Sequence, residues 1–293
     1  MMLHICSSNS PNKKSNEYMQ FFSIQKIFVE GKMNRENLSK TSVKTISASP
    51  GYYAIPELKQ TYDLWWNKLS QIFREEGLDN IPNHLSWNFS VPNQFIWQQI
   101  CGLQLARSKI EKYHYIATPV YNTPFFNGSR YVSLLVVHKN SKIRKLSDAK
   151  GLRIGVNGLD SHSGWNVICN ILKKNNFDAK NYFSEIKISG SHRKSIQMIL
   201  RNESDISSID ALTWTLIDKE KNNELHDCRI LFKTPDSLSP PWVLDGSLSK
   251  HIVKPMRKGL KRFFNDSNVK ELNKRLCLTG FEIISRHAYE KSF

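Results

Sequence analysis

Residues 151–166 read Gly-Leu-Arg-Ile-Gly-Val-Asn-Gly-Leu-Asp-Ser-His-Ser-Gly-Trp-Asn, and this stretch decides the fold. Its first half alternates apolar residues between two glycines, which predicts a short strand over 152–157. Its second half offers the hydroxyls of Ser161 and Ser163 before an apolar periodic segment, which predicts a helix over 162–175. Hydroxyls and free N–H groups at a helix start can bind an anion such as phosphate, phosphonate or carboxylate, although an ordinary capped helix has the same pattern.

The same pattern of a strand and then a helix occurs twice more. Strands are predicted over 183–188 and 205–209, and each leads into a helically spaced segment. This alternation predicts a parallel, doubly wound sheet, in which ligands bind beyond the carboxyl ends of the strands. The polar residues just beyond the three strand ends are Ser161 and Ser163, His192, and Asp210. Their convergence at one edge of the sheet predicts a ligand site, while the simpler role of Asp210 is to cap the next helix.

The remaining elements have plainer signals. The strands that we expect elsewhere cover 43–47, 85–89, 113–118, 131–137 and 242–244. A core-facing helix begins at Pro56, and the segment 93–101 is apolar with helical spacing. Basic helices are predicted over 250–265 and 267–277.

The composition is that of a globular protein. Hydrophobic residues make up 40% of the 293 residues, and this length favours about two domains. Because no run of about 18 apolar residues is present, we do not expect an integral membrane protein. Five scattered cysteines without a Cys-x-x-Cys pair favour neither a disulfide framework nor a zinc site.

The net charge of +16 lies partly in the last segment, where residues 250–293 hold eleven Lys or Arg against four Asp or Glu. A solvated basic face is the simplest interpretation. Nucleic-acid binding is disfavoured because no motif that reads nucleic acid is present. Nucleotide motifs, metal-ligand spacings and a nucleophile with its orienting acid are also missing from the sequence, so we expect neither an enzyme nor a cofactor.

Residues 1–42 are polar and are expected to form a weakly ordered extension. Their one apolar patch, over 21–29, is interrupted by Gln25 and Lys26 and lacks a small-residue cleavage site. It is therefore a poor signal peptide, and the chain as written is expected to stay in the cytosol. Met33 is an alternative start.

Several short motifs, taken in order, resemble those of one protein family. They are Tyr53-Ala-Ile-Pro56-Glu57, Gln99-Ile-Cys101-Gly102, Asn157-Gly-Leu-Asp-Ser161-His-Ser163-Gly164, Ser189-Gly-Ser-His192, Asp210-Ala-Leu-Thr213-Trp214, Pro240-Pro241, and Gly280-Phe281-Glu282 with Tyr289. Across about residues 46–290 their order and spacing are similar to those of the phosphate/phosphonate ABC-transporter solute-binding proteins, the PhnD-like group. Two features depart from that pattern: Ala54 stands where the family often has Asp, and a recognisable signal peptide is missing.

The resemblance implies an α/β protein with the type II periplasmic-binding fold. Two lobes, each a doubly wound sheet flanked by helices, would close on a small anion. Lobe 1 would cover 43–138 plus 235–293, and lobe 2, with the anion-binding loops, would cover 139–234. The implied function is capture of a phosphonate or phosphate ester for uptake through an ABC permease, at the periplasm or cell surface.

The resemblance also implies a set of ligand-binding residues. The N–H groups of Gly164 and Trp165 would join the two serines and His192 on the anion, and Asp210 would receive an ammonium or hydroxyl group. Tyrosines from the first lobe and the hinge would cover the ligand. The full set is Ser161, His162, Ser163, Gly164, His192, Asp210, Tyr53 and Tyr131, with Gln99 as a weaker candidate. The alternative, favoured by the poor signal peptide, is a cytoplasmic anion sensor or regulatory protein with the same fold.

Overall fold

The computed structural model describes residues 46–87, 94–220 and 223–293. Its strands, in chain order, are β1 Ser47–Ala48, β2 Phe95–Gln99, β3 Tyr113–Asn122, β4 Asn127–Gly128, β5 Arg130–Tyr131, β6 Ser133–His138, β7 Arg153–Val156, β8 Glu185–Ile188, β9 Ile206–Asp210, β10 Cys228–Lys233, β11 Ser237–Leu238, β12 Trp242–Asp245 and β13 Leu278–Glu282. Its α-helices are α1 Lys59–Glu75, α2 Gly102–Arg107, α3 Val167–Lys174, α4 Ala179–Tyr182, α5 His192–Leu200, α6 Ala211–Lys219, α7 Val253–Asn265, α8 Lys270–Arg275 and α9 Arg286–Ser292. The expected extension over 1–42 lies outside the described residues.

The first large sheet has the strand order β1-β2-β12-β3-β13, with β4 added to β3. β1 and β2 are parallel, whereas β12 runs antiparallel to both β2 and β3. β12 comes late in the chain but lies in the middle of this sheet. The first lobe is therefore built from two separate parts of the sequence, and below this name denotes the first sheet with the helices that cover it.

The second sheet has the order β10-β6-β9-β7-β8. β7 is parallel to β8 and to β9, as the alternation of strands and helices predicted. β6 pairs antiparallel with both β9 and β10, which the alternation did not predict. The second lobe denotes this sheet and its helices, and the carboxyl ends of β7, β8 and β9 lie at one edge of it.

The sheet to which β6 belongs changes one of the expected boundaries between the lobes. The range 43–138 was assigned to the first lobe, but β6 is hydrogen-bonded inside the second sheet. Counted by sheet, the second lobe begins at Ser133. An apolar strand such as β6 fits the interior of either sheet equally well, so its pattern could not show which sheet it would join.

Within the segment 93–101, whose spacing suggested a helix, Phe95–Gln99 is a strand, and residue 93 lies outside the described residues. Ile96 and Trp97 are adjacent, point to opposite faces of the sheet and are both buried, so β2 is covered on both faces. A strand buried on both faces has a continuous apolar run, which over so few residues is hard to distinguish from a helix. The strand expected over 85–89 is not formed at 85–87, and its last two residues lie outside the described range.

The core of the first lobe is aromatic. The rings of Trp97 and Trp242 have centroids 4.9 Å apart, and Trp65 packs edge-on against Phe263 at 5.1 Å. These side chains belong to strands and helices of both sequence parts, so they fix the first sheet against α1 and α7. In the described part of the chain, none of the helices combines the length and the apolar character that crossing a membrane requires.

Close packing of α1 on α7 depends on Gly259. A Cβ atom added there would lie 2.8 Å from Cδ1 of Phe73. Gly259→Val should therefore lower the free energy of unfolding by about 2 kcal/mol, since overpacking a filled core typically costs 1–3 kcal/mol. Denaturant unfolding measures the change. Gly280→Val is the control, because a Cβ at Gly280 meets no atom within 4 Å; equal losses in both variants would contradict the packing argument.

Candidate ligand-binding site

The second lobe brings two serines and a histidine together at the ends of its strands. The hydroxyl oxygen of Ser163 lies 2.8 Å from Nε2 of His192, the first residue of α5. Ser161 Oγ lies 3.5 Å from Ser163 Oγ. All three side chains are buried. Residues that the sequence placed at successive strand ends are thus neighbours in the structure.

The backbone at this cluster forms a π-helical turn over His162–Asn166 that continues into α3. Ser161 caps the turn, because its Oγ accepts a hydrogen bond from the N–H of Gly164 at 3.2 Å. A Cβ on Gly164 would lie 1.8 Å from Oδ1 of Asn157. Only glycine therefore allows this turn to sit against the end of β7. Single π-turns inside helices are frequent at functional sites.

The N–H groups expected to hold the anion have acceptors within the turn. Gly164 donates to the Ser161 hydroxyl, and Trp165 donates to the Ser161 carbonyl at 3.3 Å. The wide π-turn directs both N–H groups back onto Ser161, the residue that caps it. An anion at this turn would therefore be met first by the side chains of Ser161, Ser163 and His192.

His162 also has protein partners at both ring nitrogens. Its Nε2 lies 2.8 Å from the hydroxyl of Ser237, and its Nδ1 lies 3.2 Å from Nδ2 of Asn166. The ring packs edge-on against Phe293 with centroids 4.4 Å apart. These contacts give His162 a structural role where the two lobes meet, and a ligand would have to displace one of them to reach it.

Asp210 joins the two lobes at the end of β9. Its Oδ1 accepts hydrogen bonds from the N–H groups of Leu212 at 2.8 Å and Thr213 at 3.1 Å, which caps α6. Its Oδ2 accepts a hydrogen bond from the hydroxyl of Tyr53, in the first lobe, at 3.1 Å. One carboxylate thus caps α6 with one oxygen and contacts the first lobe with the other.

Further tyrosines line the junction beside Asp210. Tyr121 packs edge-on against Tyr53 at 5.8 Å and accepts a hydrogen bond from Gln99 Nε2 at 2.9 Å. Gln99, the weaker candidate, thus contacts Tyr121 and the Pro240 carbonyl. Tyr131 is buried, and its pKa is raised well above the usual value by burial first and then by the nearby Cys101 and Asp210, while the Ser163 hydroxyl opposes the rise.

The sequence did not indicate Tyr121 or Ser208. Ser208 lies in the middle of β9 and donates a hydrogen bond from its hydroxyl to the Ser163 carbonyl at 2.6 Å. Both residues belong to strands whose pattern signals burial only, so their positions beside the site depend on which strands become neighbours. Among the described residues, no group of His, Cys, Asp and Glu side chains is arranged to hold a metal ion.

Burial sets the charge of this cluster. It lowers the pKa of His192 to about 4, and together with the nearby Arg107 it lowers the pKa of His162 to about 4. Burial raises the pKa of Asp210 to about 6, although the hydrogen bonds from Thr213, Leu212 and Tyr53 lower it. At neutral pH both histidines are uncharged, and Asp210 carries the formal charge of the group.

Comparison with known proteins identifies the family. Residues 101–289 match the model of the family described as "ABC transporter, phosphonate, periplasmic substrate-binding protein". The chain belongs to this family. It is accordingly a solute-binding protein of ABC-type transport and not an enzyme, and the alternative of a cytoplasmic sensor is not favoured. No curated protein matches the chain.

Solved structures show the same fold at low sequence identity. A Xanthomonas citri protein bound to ATP superposes with a TM-score of 0.61 at 14% identity, covering 84% of this chain and 95% of that one. A binding protein component of an ABC phosphonate transporter from Pseudomonas aeruginosa gives 0.59 at 17% identity, covering 82% and 81%. PhnD1 from Prochlorococcus marinus in complex with methylphosphonate gives 0.57 at 16% identity, covering 85% and 96%. The predicted two-lobed periplasmic-binding fold is confirmed.

The buried acid and histidines predict how stability depends on pH. In the folded state the pKa of Asp210 is raised from 3.8 to about 6, so near pH 5 it holds a proton that it releases on unfolding. The two histidines, with pKa lowered from 6.5 to about 4, take up one proton each on unfolding. Together these three groups take up one proton net, so their contribution to the free energy of unfolding falls on acidification by about 1.4 kcal/mol per pH unit.

Asp210→Asn removes the carboxyl group whose proton release on unfolding offsets part of this decrease in the free energy of unfolding. The Asn side chain keeps an oxygen that can cap α6. The slope near pH 5 should steepen by about 1.4 kcal/mol per pH unit, because Asp210 no longer releases a proton that offsets the uptake by the two histidines. Denaturant unfolding at several pH values between about 4.5 and 5.5 measures the slope. Asp236→Asn, at an exposed ion pair with Arg130, should leave it unchanged. A slope that Asp210→Asn does not alter would show that Asp210 is ionised when folded.

Proposed function

We propose that Ser161, Ser163 and His192 bind the phosphonate or phosphate group of the ligand. The observation that carries this proposal is the contact of Ser163 with His192, with the Ser161 hydroxyl 3.5 Å from that of Ser163. Hydroxyls and a neutral imidazole can all donate to anionic oxygens. The cluster lies at the start of α3 and α5 together, where helix dipoles favour negative charge.

Asp210 makes a bare dianion a poor ligand. In the described part of the chain, none of the hydrogen bonds of Ser161, Ser163, His192 and Asp210 involves a lysine or arginine. The one formal charge in the group is therefore negative at neutral pH. A carboxylate near an anion in a closed, poorly hydrated space costs energy unless a positive group lies between them. We infer a ligand with a phosphonate or phosphate at one end and an amine or hydroxyl at the other, such as an aminoalkylphosphonate.

Closure of the lobes completes the site in this proposal. Tyr53 contributes from the first lobe through its bond to Asp210, and Tyr131 covers the cluster from the segment between the sheets. Gly164 shapes the turn, and His162 supports it through Ser237. The proposed lobes are 43–138 plus 235–293 and 139–234, except that β6, residues 133–138, is taken out of the first lobe and counted in the second. An ABC permease is the proposed recipient of the ligand.

Removing the two hydroxyls tests the anion site. Ser161→Ala with Ser163→Ala should weaken binding of 2-aminoethylphosphonate at least tenfold, since hydrogen bonds to charged groups contribute about 1.5–3 kcal/mol each. Calorimetric titration measures the affinity. The control is Ser249→Ala with Ser285→Ala, which removes two capping serines elsewhere in the chain. If Ser161→Ala with Ser163→Ala leaves the affinity unchanged, the anion binds elsewhere and the proposed anion site is wrong.

Changing the carboxylate tests the ligand class. The wild-type protein should bind 2-aminoethylphosphonate more tightly than inorganic phosphate. Asp210→Asn should reduce that preference about tenfold, because it removes the partner of the ammonium group and keeps the cap on α6. Tyr53→Phe, which keeps the charge and removes the hydroxyl, should preserve the preference. If phosphate binds better than every aminophosphonate, or if Asp210→Asn leaves the preference intact, Asp210 is a helix cap only.

A further inference from the structure

Arg193, the residue after His192, joins the two lobes. Its Nη1 lies 2.7 Å from Oε1 of Glu57 in the first lobe. Its Nη2 lies 2.7 Å from Oε2 of Glu224 in the second lobe, and its Nε also contacts that oxygen at 2.8 Å. The side chains of Arg193 and Glu57 are 25% and 31% exposed. The guanidinium group is thus held by its own lobe and extends to the other.

A second set of contacts lies close to Glu224 in sequence. Arg275, at the end of α8, lies 3.2 Å from Oε2 of Glu220. Lys219, at the end of α6, donates a hydrogen bond to the Lys274 carbonyl at 2.8 Å. Among the described residues, Lys219, Glu220 and Glu224 of the second lobe thus supply charged groups to the two places where ion pairs join the lobes.

The arrangement couples this ion pair to the ligand site through short segments of backbone. His192 contacts Ser163 in the anion cluster, and the next residue, Arg193, contacts Glu57. Glu57 lies four positions after Tyr53, whose hydroxyl binds Asp210. Each lobe thus carries one residue of the site and one residue of the ion pair within a few positions of each other.

We propose that Arg193 is a positioning residue that holds the first lobe closed over the site without touching the ligand. Its bonds to Glu224 lie within the second lobe and persist when the lobes separate. Its bond to Glu57 has to break whenever they do. Because Glu224 fixes the guanidinium beforehand, little side-chain entropy is lost when Glu57 arrives. The proposal rests on the proposed function only in the measurement of ligand release, and the scattering measurement does not depend on it.

The first test uses the protein without ligand. Glu57→Gln removes the charge of Glu57 and leaves the Arg193–Glu224 pair intact, and Glu57→Lys places a second cation beside Arg193. The radius of gyration from small-angle scattering should increase from wild type to Glu57→Gln to Glu57→Lys. Raising the salt concentration should expand the wild type towards Glu57→Gln, since ion pairs are screened. Asp63→Asn is the matched control, because Asp63 pairs with Lys59 within α1.

The second test measures ligand release. Dissociation of 2-aminoethylphosphonate, followed by stopped flow, should be about three- to tenfold faster in Glu57→Gln than in wild type. The association rate and the denaturation midpoint should change little. A merely structural role for Glu57 would instead lower the denaturation midpoint. Asp63→Asn should release the ligand at the wild-type rate.

The outcomes separate the two proposals. An equal radius of gyration in wild type, Glu57→Gln and Glu57→Lys would overturn the role of Arg193, whatever the ligand. If the wild-type protein binds no phosphonate, the proposed function fails and the scattering series alone decides whether Arg193 holds the lobes. If a phosphonate binds and its release rate is the same in all variants, the ion pair has no part in retention.

Discussion

The structure depends on a carboxylate that is buried at the junction of its two lobes. Asp210 ends the central strand of the second sheet and is 3% exposed. A carboxyl group in such a place is tolerated only when its oxygens have partners. One oxygen fixes the start of α6, and the other fixes Tyr53 from the opposite lobe. The position of β9, the direction of α6 and the approach of the first lobe are therefore set at a single side chain.

Much of the second lobe could be predicted from the sequence because its signals are local. The apolar run before Gly158 and the helical spacing after Ser163 predict β7 and α3, and the two repeats of that pattern predict the parallel pairing with β8 and β9. The candidate site residues His192 and Asp210 follow from the same logic, since carboxyl ends of parallel strands share an edge. The family resemblance added the tyrosine of the first lobe.

Other features depend on partners far away in the chain. β2 was mistaken for a helical segment because both of its faces are buried, which depends on the elements that pack above and below the sheet. The occupied N–H groups of Gly164 and Trp165 follow from a π-turn, which no residue type signals. The bonds of His162 to Ser237 and of Gln99 to the Pro240 carbonyl require that the first lobe returns after residue 234. Sequence spacing carries no information about such closures.

The packing of α6 has a consequence for how the protein folds. Every residue from Ala211 to Ile217 is buried, and Ile209, Leu212 and Leu216 share one apolar core with Tyr62 and Trp65 of the first lobe. Neither lobe can bury its own part of that core without the other. Although the proposed ligand site lies between two lobes, the two lobes are therefore expected to unfold together, and a fragment that contains only one lobe would expose the apolar surface that contacts the other.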